Sequence, residues 1–221
     1  MKTVGVCLSG CGYLDGAEIQ EAVLTLLALD QAGARAYCFA PDKEQSDVID
    51  HLTETAMPGK VRNVLTESAR IARGKIENLD RVHAADLDAL VFPGGYGAAK
   101  NLCTFAAEGA ECRVDPEVER LVREVVDTRR PIAAICIAPV IVARVLGQLG
   151  LHPRLTLGTD AGLLAALEAM GAEPVQCGVT ECVEDEPFRI VSTPAYLLGQ
   201  GPGEVYQGIR GAIERLLAMT G

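Results

Sequence analysis

Pro131-Ile-Ala-Ala-Ile-Cys136-Ile-Ala-Pro139 decides the fold: an apolar strand pattern leads into one cysteine, and a helical pattern follows at once. A thiol at a strand-to-helix turn lies beside unpaired backbone N–H groups and the positive end of a helix dipole, which both favour thiolate. Thiolate is the nucleophilic form, so Cys136 is the first candidate for a catalytic residue. The alternative is a cysteine that only packs in the core.

Strand and helix patterns alternate on both sides of this stretch. Strands are predicted over 3–8, 34–40, 87–92, 132–135 and 155–157, with one or two more in 175–192; helices are predicted over 17–32, 61–73, 115–128, 137–146, 161–170 and 203–219. This order predicts one α/β domain over residues 1–221, with a doubly wound, mainly parallel sheet and helices on both faces. The loops 9–16 and 93–101 then lie at the same sheet edge as Cys136.

Composition excludes several classes of protein. The net charge of −10 argues against a nucleic-acid partner. The longest apolar run, from Pro131 to Ala143, is too short to cross a membrane, so no membrane association is expected. The N-terminal Met1-Lys-Thr-Val-Gly-Val is typical of a first strand and not of a signal peptide. We therefore expect a cytoplasmic protein, or a matrix protein that has lost its targeting segment.

No metal or cofactor is predicted. The eight cysteines are scattered, as expected of reduced thiols, and neither close pair, Cys7 with Cys11 or Cys177 with Cys182, has a second ligand pair or a histidine cluster nearby in sequence. The glycine-rich loop 9–16 resembles a dinucleotide-binding G-x-G-x-x-G but has one residue too many, and no P-loop lysine follows it.

Two further features point to chemistry near Cys136. Gly94 and Gly95 follow a buried strand, and their backbone N–H groups could hold an oxyanion opposite the cysteine. The alternative is an ordinary strand-to-helix turn. Glu18 and Glu21 lie three residues apart at the start of the first helix, where a carboxylic acid could hydrogen-bond to a thiolate or move a proton. The alternative for each is that it only complements the helix dipole.

Together these motifs resemble the class I glutamine amidotransferase-like superfamily of PfpI-type proteases and deglycases, and within it the ElbB (isoprenoid-biosynthesis-associated) glyoxalase-like family. The resemblance covers nearly the whole chain and rests on five stretches: Ser9-Gly-Cys-Gly-x-x-Asp-Gly-x-Glu-Ile-x-Glu21 with the residues up to Leu26, Cys38-Phe-Ala-Pro-Asp42, Pro93-Gly-Gly-x-Gly-Ala-Ala-Lys-Asn101, Cys136-Ile-Ala-Pro139 and Thr193-Pro-Ala-Tyr196.

The resemblance implies a flavodoxin-like fold with the cysteine on a nucleophile elbow, and a homodimer. It assigns the nucleophile to Cys136 and the buried acid to Glu21, with Glu18 as its neighbour in the pocket. The remaining implied residues are the oxyanion-hole amides of Gly94 or Gly95 and of Ile137, and the substrate-pocket residues Gly10, Gly12, Asn101 and Tyr196.

The chain departs from the superfamily at the position after the cysteine. Ile137 stands where amidotransferases and PfpI-type proteases place a histidine, and Ala138 replaces the glycine usual in that turn. Without a histidine a hydrolase triad is incomplete. We therefore expect a slow, cofactor-free glyoxalase that acts on a small reactive carbonyl, glyoxal or methylglyoxal, through a Cys136 hemithioacetal. The alternatives are a redox-sensing or chaperone-like protein with an oxidisable Cys136, and then an amidase or deglycase.

Overall fold

The centre of the structure, a computed structural model that describes residues 1–221, is a seven-stranded sheet. In chain order the strands of the molecule are β1 (Thr3–Cys7), β2 (Arg35–Ala40), β3 (Ile49–Asp50), β4 (Thr55–Ala56), β5 (Ile76–Asn78), β6 (Ala89–Phe92), β7 (Ile132–Ile135), β8 (Arg154–Leu155), β9 (Glu173–Pro174), β10 (Val183–Asp185) and β11 (Ile190–Thr193). The helices are α1 (Ile19–Gln31), α2 (Val64–Ile71), α3 (Tyr96–Lys100), α4 (Phe105–Glu108), α5 (Pro116–Asp127), α6 (Pro139–Gln148), α7 (Ala161–Ala169) and α8 (Pro202–Ala218).

The strand order of the sheet is β10-β11-β7-β6-β1-β2-β5, and every neighbouring pair is parallel except β10 with β11. The strands β3 and β4 form a separate hairpin, and β8 pairs with β9. The predicted flavodoxin-like, mainly parallel α/β fold is confirmed. Because β1, β6 and β7 are central and parallel, their carboxyl ends and the loops that follow them meet at one edge.

Helices cover both faces of the sheet because successive side chains of each strand point to opposite faces. Ala133 and Ile135 of β7 pack in the core layer with α1 and α8, whereas Ile132 and Ala134 pack in the layer with α5 and α6. All four residues of β6 and all four of β7 are buried, as expected for parallel strands covered on both sides. Their continuous apolar runs are the sequence signature of this arrangement.

The helix predicted over 137–146 begins two residues later than expected, at Pro139. Cys136 has a φ of +60°, so the chain leaves β7 in a left-handed turn that a helix cannot contain. Pro139 then suits the first helical position, where its missing N–H costs no hydrogen bond.

Six further elements escaped prediction, namely β3, β4, β5, β9, α3 and α4. The strand β5 is a short edge strand with a polar sequence, Ile76-Glu-Asn78. The helices α3 and α4 have only five and four residues, too few to show a repeating apolar pattern in the sequence. None of the helices combines the length and the apolar character that a membrane crossing requires.

Candidate active site

Cys136 lies in the turn between β7 and α6, at the carboxyl edge of the sheet. Its backbone N–H donates to the Thr193 carbonyl at the end of the neighbouring strand, with an N···O distance of 2.9 Å. This bond holds the residue in its left-handed conformation, which is rare for any residue other than glycine. The residue is 7% exposed, so the thiol is open to one side only.

Glu21 lies in the first turn of α1, and its side chain extends towards Cys136 and is fully buried. Its Oε1 accepts the backbone N–H of Tyr196 at 3.1 Å. Its Oε2 makes no hydrogen bond of regular geometry and faces Gly94 and Cys136. A buried carboxyl with one oxygen unpartnered is costly, so we conclude that this oxygen is held for an interaction with the thiol or with a bound group.

Burial dominates the protonation of this pair. Burial raises the pKa of Glu21 to about 8, and the neighbouring Glu18 adds to the rise. Burial and the charge of Glu21 raise the pKa of Cys136 well above its ordinary value, although the backbone N–H groups of Gly95 and Ile137 lower it. The expectation that the turn alone favours thiolate is therefore wrong, because desolvation outweighs the N–H groups. The pair carries at most one negative charge near neutral pH.

The Glu21 carboxyl predicts that stability falls with rising pH. Between its ordinary pKa of 4.5 and about 8, the unfolded chain releases the Glu21 proton while the folded protein keeps it. The folded state then binds more protons, so the free energy of unfolding decreases across this window. Glu21→Gln should remove the loss and make the protein more stable than wild type at pH 8, by several kcal/mol at about 1.4 kcal/mol per pH unit.

Urea unfolding of both proteins at pH 4.5 and pH 8 measures this effect. Near pH 4.5 the two proteins should differ little. Equal differences at both pH values would show that Glu21 is not buried as the neutral acid.

Gly94 and Gly95 allow the backbone to approach the thiol closely. A Cβ atom built on Gly94 would lie 2.3 Å from the Cβ of Cys136 and 2.4 Å from the Oε2 of Glu21. Gly95 has a φ of +97°, and a Cβ there would lie 2.2 Å from the backbone nitrogen of Glu18. The backbone N–H groups of Gly95 and Ile137 both point at the sulfur. An oxygen on a carbon bonded to that sulfur would lie beside these two donors.

We expect Gly94→Ala to lower stability by about 1–3 kcal/mol, because an added methyl group must displace Cys136 or Glu21. The same displacement should reduce any reaction of the thiol. Gly203→Ala is the matched control: nothing lies within 4 Å of its added Cβ and the site is helical, so stability should hold or rise slightly. Thermal unfolding and the rate of thiol alkylation measure both effects; equal behaviour of the two variants would contradict the close approach at Gly94.

A pocket of about 340 Å³ opens above the thiol. Apart from Cys136, Glu18 and the backbone of Gly95, its lining is apolar or aromatic. The larger side chains of this lining include Tyr13, Tyr96, Phe105, Leu163, Tyr196 and Leu197. Glu18 is half-buried at its wall and caps α1 by accepting the N–H of Glu21 at 2.6 Å. A second groove, of about 500 Å³, lies around Arg154 and Arg215 and includes none of these residues.

The chain is similar in sequence to known proteins. The sequence model described as "DJ-1/PfpI family" matches residues 13–186. The chain belongs to the DJ-1/PfpI family. It is 43% identical to the "ES1 protein homolog, mitochondrial" of Rattus norvegicus, over 99% of this chain and 84% of the relative. It is also 43% identical to the human "Glutamine amidotransferase-like class 1 domain-containing protein 3, mitochondrial", over 99% of this chain and 83% of that protein.

Solved structures share the fold of this chain. An isoprenoid biosynthesis protein with an amidotransferase-like domain from Ehrlichia chaffeensis superposes with a TM-score of 0.91 at 38% identity, covering 98% of this chain and 99% of that chain. Drosophila melanogaster DJ-1beta superposes with a TM-score of 0.55 at 20% identity, covering 99% and 95%, and shows the shared fold. The mitochondrial names of the relatives contradict the cytoplasmic location expected from the N-terminal sequence.

Three residues predicted for the pocket of this DJ-1/PfpI protein lie outside it, and their placement is corrected. Gly10 donates its N–H to the Ser68 hydroxyl at 2.9 Å. A Cβ on Gly12 would lie 2.6 Å from the His51 ring, so Gly12 makes room for that ring. The buried side-chain amide of Asn101 donates to the carbonyls of Ser9 and Asp15, both at 2.9 Å. All three shape the loop 9–16 behind the pocket.

Of the predicted pocket residues, Tyr196 alone lines the cavity. Most of the apolar wall of the pocket was not predicted from the sequence. Tyr13 and Tyr96 belong to the two glycine-rich loops, so their position in those loops was an available signal. Phe105 and Leu163 lie on α4 and α7, and no pattern in the sequence marks them.

No histidine lies at the thiol. His51, His83 and His152 hydrogen-bond or pair elsewhere, with Ile49, Glu124 and Gly171 respectively, and none lines the pocket. No group of three or more His, Cys, Asp or Glu side chains is placed to hold a metal ion. The groups available for chemistry at this site are therefore one thiol, two carboxyls, the tyrosine hydroxyls of the lining and backbone N–H donors.

Proposed function

We propose that this DJ-1/PfpI protein is a slow, cofactor-free glyoxalase that converts glyoxal or methylglyoxal to the hydroxy acid, as in the ElbB-like family that its motifs resemble. One observation carries the proposal: the unpartnered Oε2 of the buried Glu21 faces Cys136, and no histidine is in reach. A carboxylic acid beside a thiol can move protons at the carbon bonded to sulfur, whereas amide hydrolysis needs a group that protonates a leaving amine. This favours the glyoxalase over the amidase or deglycase.

The first step joins the thiol to the aldehyde. Glu21 accepts the thiol proton as the sulfur of Cys136 attacks the aldehyde carbon, and the N–H groups of Gly95 and Ile137 stabilise the oxyanion. Protonation of that oxygen gives a hemithioacetal. The raised pKa of the Cys136 thiol keeps the thiolate scarce at neutral pH, which accounts for the low activity that we propose.

The second step moves a proton between two carbons. Glu21 takes the proton from the former aldehyde carbon and returns it to the neighbouring carbonyl carbon. The hydroxyl proton of the hemithioacetal moves to the oxygen of that neighbouring carbon, which leaves a thioester of the 2-hydroxy acid. Water then cleaves the carbon–sulfur bond, releases glycolate or lactate and restores the thiol. Glu18 lines the cavity while Glu21 does not, so Glu18 contacts the outer part of the bound substrate.

Product analysis tests the proposal. The purified protein is incubated with glyoxal or methylglyoxal in the presence of a metal chelator and without glutathione, and glycolate or lactate is followed by NMR. We expect hydroxy acid in proportion to enzyme concentration. If neither substrate yields hydroxy acid, the glyoxalase proposal is wrong.

The geometry also favours one second function, oxidation sensing at Cys136. A sulfinic acid on this sulfur would accept a hydrogen bond from a protonated Glu21, and the high pKa of Glu21 keeps that proton available near neutral pH. Mild peroxide followed by peptide mass spectrometry tests this role: the scarcity of the Cys136 thiolate slows its oxidation, so a sensor role requires that Cys136 still takes up two oxygen atoms before the other seven cysteines. Oxidation of other cysteines first would contradict a sensor role.

We further propose a homodimer that buries the exposed face of α1. Ile19, Val23 and Leu27 repeat every fourth residue there and are 45%, 48% and 39% exposed. Val23→Glu should therefore shift the protein to monomers in light scattering after gel filtration, whereas Leu149→Glu at an exposed site directly after α6 should not. A monomeric wild type would contradict the dimer. We also propose a mitochondrial location, which the names of the relatives favour.

A further inference from the structure

The pocket is much larger than the small carbonyls that a glyoxalase requires. Its volume is about 340 Å³. Glyoxal has four heavy atoms, which fill on the order of 100 Å³ if each takes about the 30 Å³ of a liquid water. A substrate bonded to Cys136 through its aldehyde carbon would therefore leave most of the cavity empty unless it carried a substantial further group.

The free part of the pocket is apolar. Phe105 and Ala106 come from α4, Leu163 from α7 and Leu197 from the turn after β11, and none of these side chains carries a hydrogen-bonding group. Tyr13 and Tyr96 stand at the rim, 39% and 52% exposed. A wall of this kind gains binding free energy by removing apolar surface from water.

The charges around the pocket exclude acidic substrates. Glu18 is the one charged side chain in the lining, and no lysine or arginine is among the lining residues. Lys100 lies against the Tyr96 ring, but its ammonium is bound to Asp47 and to the Leu14 carbonyl, both at 2.9 Å. The net charge of −10 acts in the same direction. A phosphate or carboxylate on the substrate would have no partner here and would be repelled by Glu18.

We propose that the substrates of this site are uncharged 2-oxoaldehydes that bear an aryl or branched alkyl group, R–CO–CHO. This inference rests on the proposed glyoxalase reaction. The sulfur of Cys136 bonds to the aldehyde carbon, the proton of that carbon is lost, and the adjacent carbonyl carbon gains one. Water then replaces the sulfur to give R–CHOH–COOH. The sum is the oxoaldehyde plus one water, so neither an oxidant nor a reductant is consumed.

Four substrates test this proposal through formation of the hydroxy acid: glyoxal, methylglyoxal, phenylglyoxal and 4-carboxyphenylglyoxal, each with Cys136→Ala as the blank. We expect kcat/KM for phenylglyoxal to exceed that for methylglyoxal at least about tenfold, since the ring buries more apolar surface than one methyl group does. The carboxylated ring should be at least about tenfold poorer than phenylglyoxal.

Two variants at adjacent positions test whether the preference for the aryl substrate arises in this pocket. Ala106→Phe fills the pocket from α4 and should lower the phenylglyoxal to methylglyoxal ratio at least about tenfold. Ala107→Phe adds the same ring one residue along, at an exposed position outside the lining, and should leave the ratio unchanged.

The outcomes separate the two proposals. Turnover of glyoxal and methylglyoxal without a preference for the aryl substrate overturns the substrate class but leaves the glyoxalase reaction standing. Equal turnover of the carboxylated ring overturns the charge argument. Absence of hydroxy acid from all four overturns the glyoxalase reaction itself.

Discussion

Replacement of Cys136 by alanine or serine is expected to lower kcat/KM for glyoxal by at least about a thousandfold, the largest effect of any single change in this protein. The proposed reaction forms and breaks a bond to this sulfur, and the pocket lining contains no second thiol. Serine preserves the shape of the site, but its hydroxyl is far less acidic than a thiol and has no general base other than Glu21.

Cys38→Ala is the matched control for this change. Cys38 is also a buried free thiol, 6% exposed, and it lies on β2 away from the pocket. Its replacement should leave turnover near the wild-type value. If Cys136→Ala keeps more than a tenth of the activity while both variants remain folded by circular dichroism, the hemithioacetal mechanism is wrong.

Glu21→Gln is expected to lower kcat by about a hundred- to ten-thousandfold, the usual range for loss of a general acid–base group. Glutamine keeps an oxygen for the Tyr196 N–H but cannot accept and return a proton. In wild type, kcat/KM should rise with pH and level off above about 8, because the pair must lose its first proton before the thiol attacks. The variant should lack this rise near pH 8.

Steady-state rates between pH 5 and pH 9 measure the effect. Glu67→Gln is the matched control, since Glu67 is also buried on a helix but pairs with Arg70 at 2.8 Å, outside the pocket. It should keep the wild-type rate and profile. An unchanged profile in Glu21→Gln would assign the proton transfers to another group, and Glu18, which lines the pocket, would be the first to examine.

The fold could be predicted because its central strands are apolar on both faces. Continuous apolar runs such as Ile132–Ile135, separated by helical periods, leave a parallel sheet as the consistent arrangement. The short elements could not be predicted, because β5 has a polar edge sequence and α3 and α4 have only five and four residues, too few to show a repeating apolar pattern. Edge pairing of this kind is set by tertiary contacts rather than by local pattern.

The candidate site was predictable in its centre and not at its periphery. Cys136, Glu21, Gly94 and Gly95 lie in motifs whose spacing implies convergence at one sheet edge, and the structure brings them together. The pKa of the thiol could not be inferred from the turn, because it depends on how deeply α1 and β11 bury the pair. The role of Asn101 was equally hidden, since only the path of the loop 9–16 shows which carbonyls it binds.

The left-handed conformation of Cys136 implies a trade-off between stability and reactivity. A non-glycine residue at a φ of +60° costs on the order of 1 kcal/mol relative to glycine, so this backbone conformation would be more stable with glycine at position 136. The proposed nucleophile is thus placed where the backbone disfavours any side chain, a cost that a catalytic role would offset.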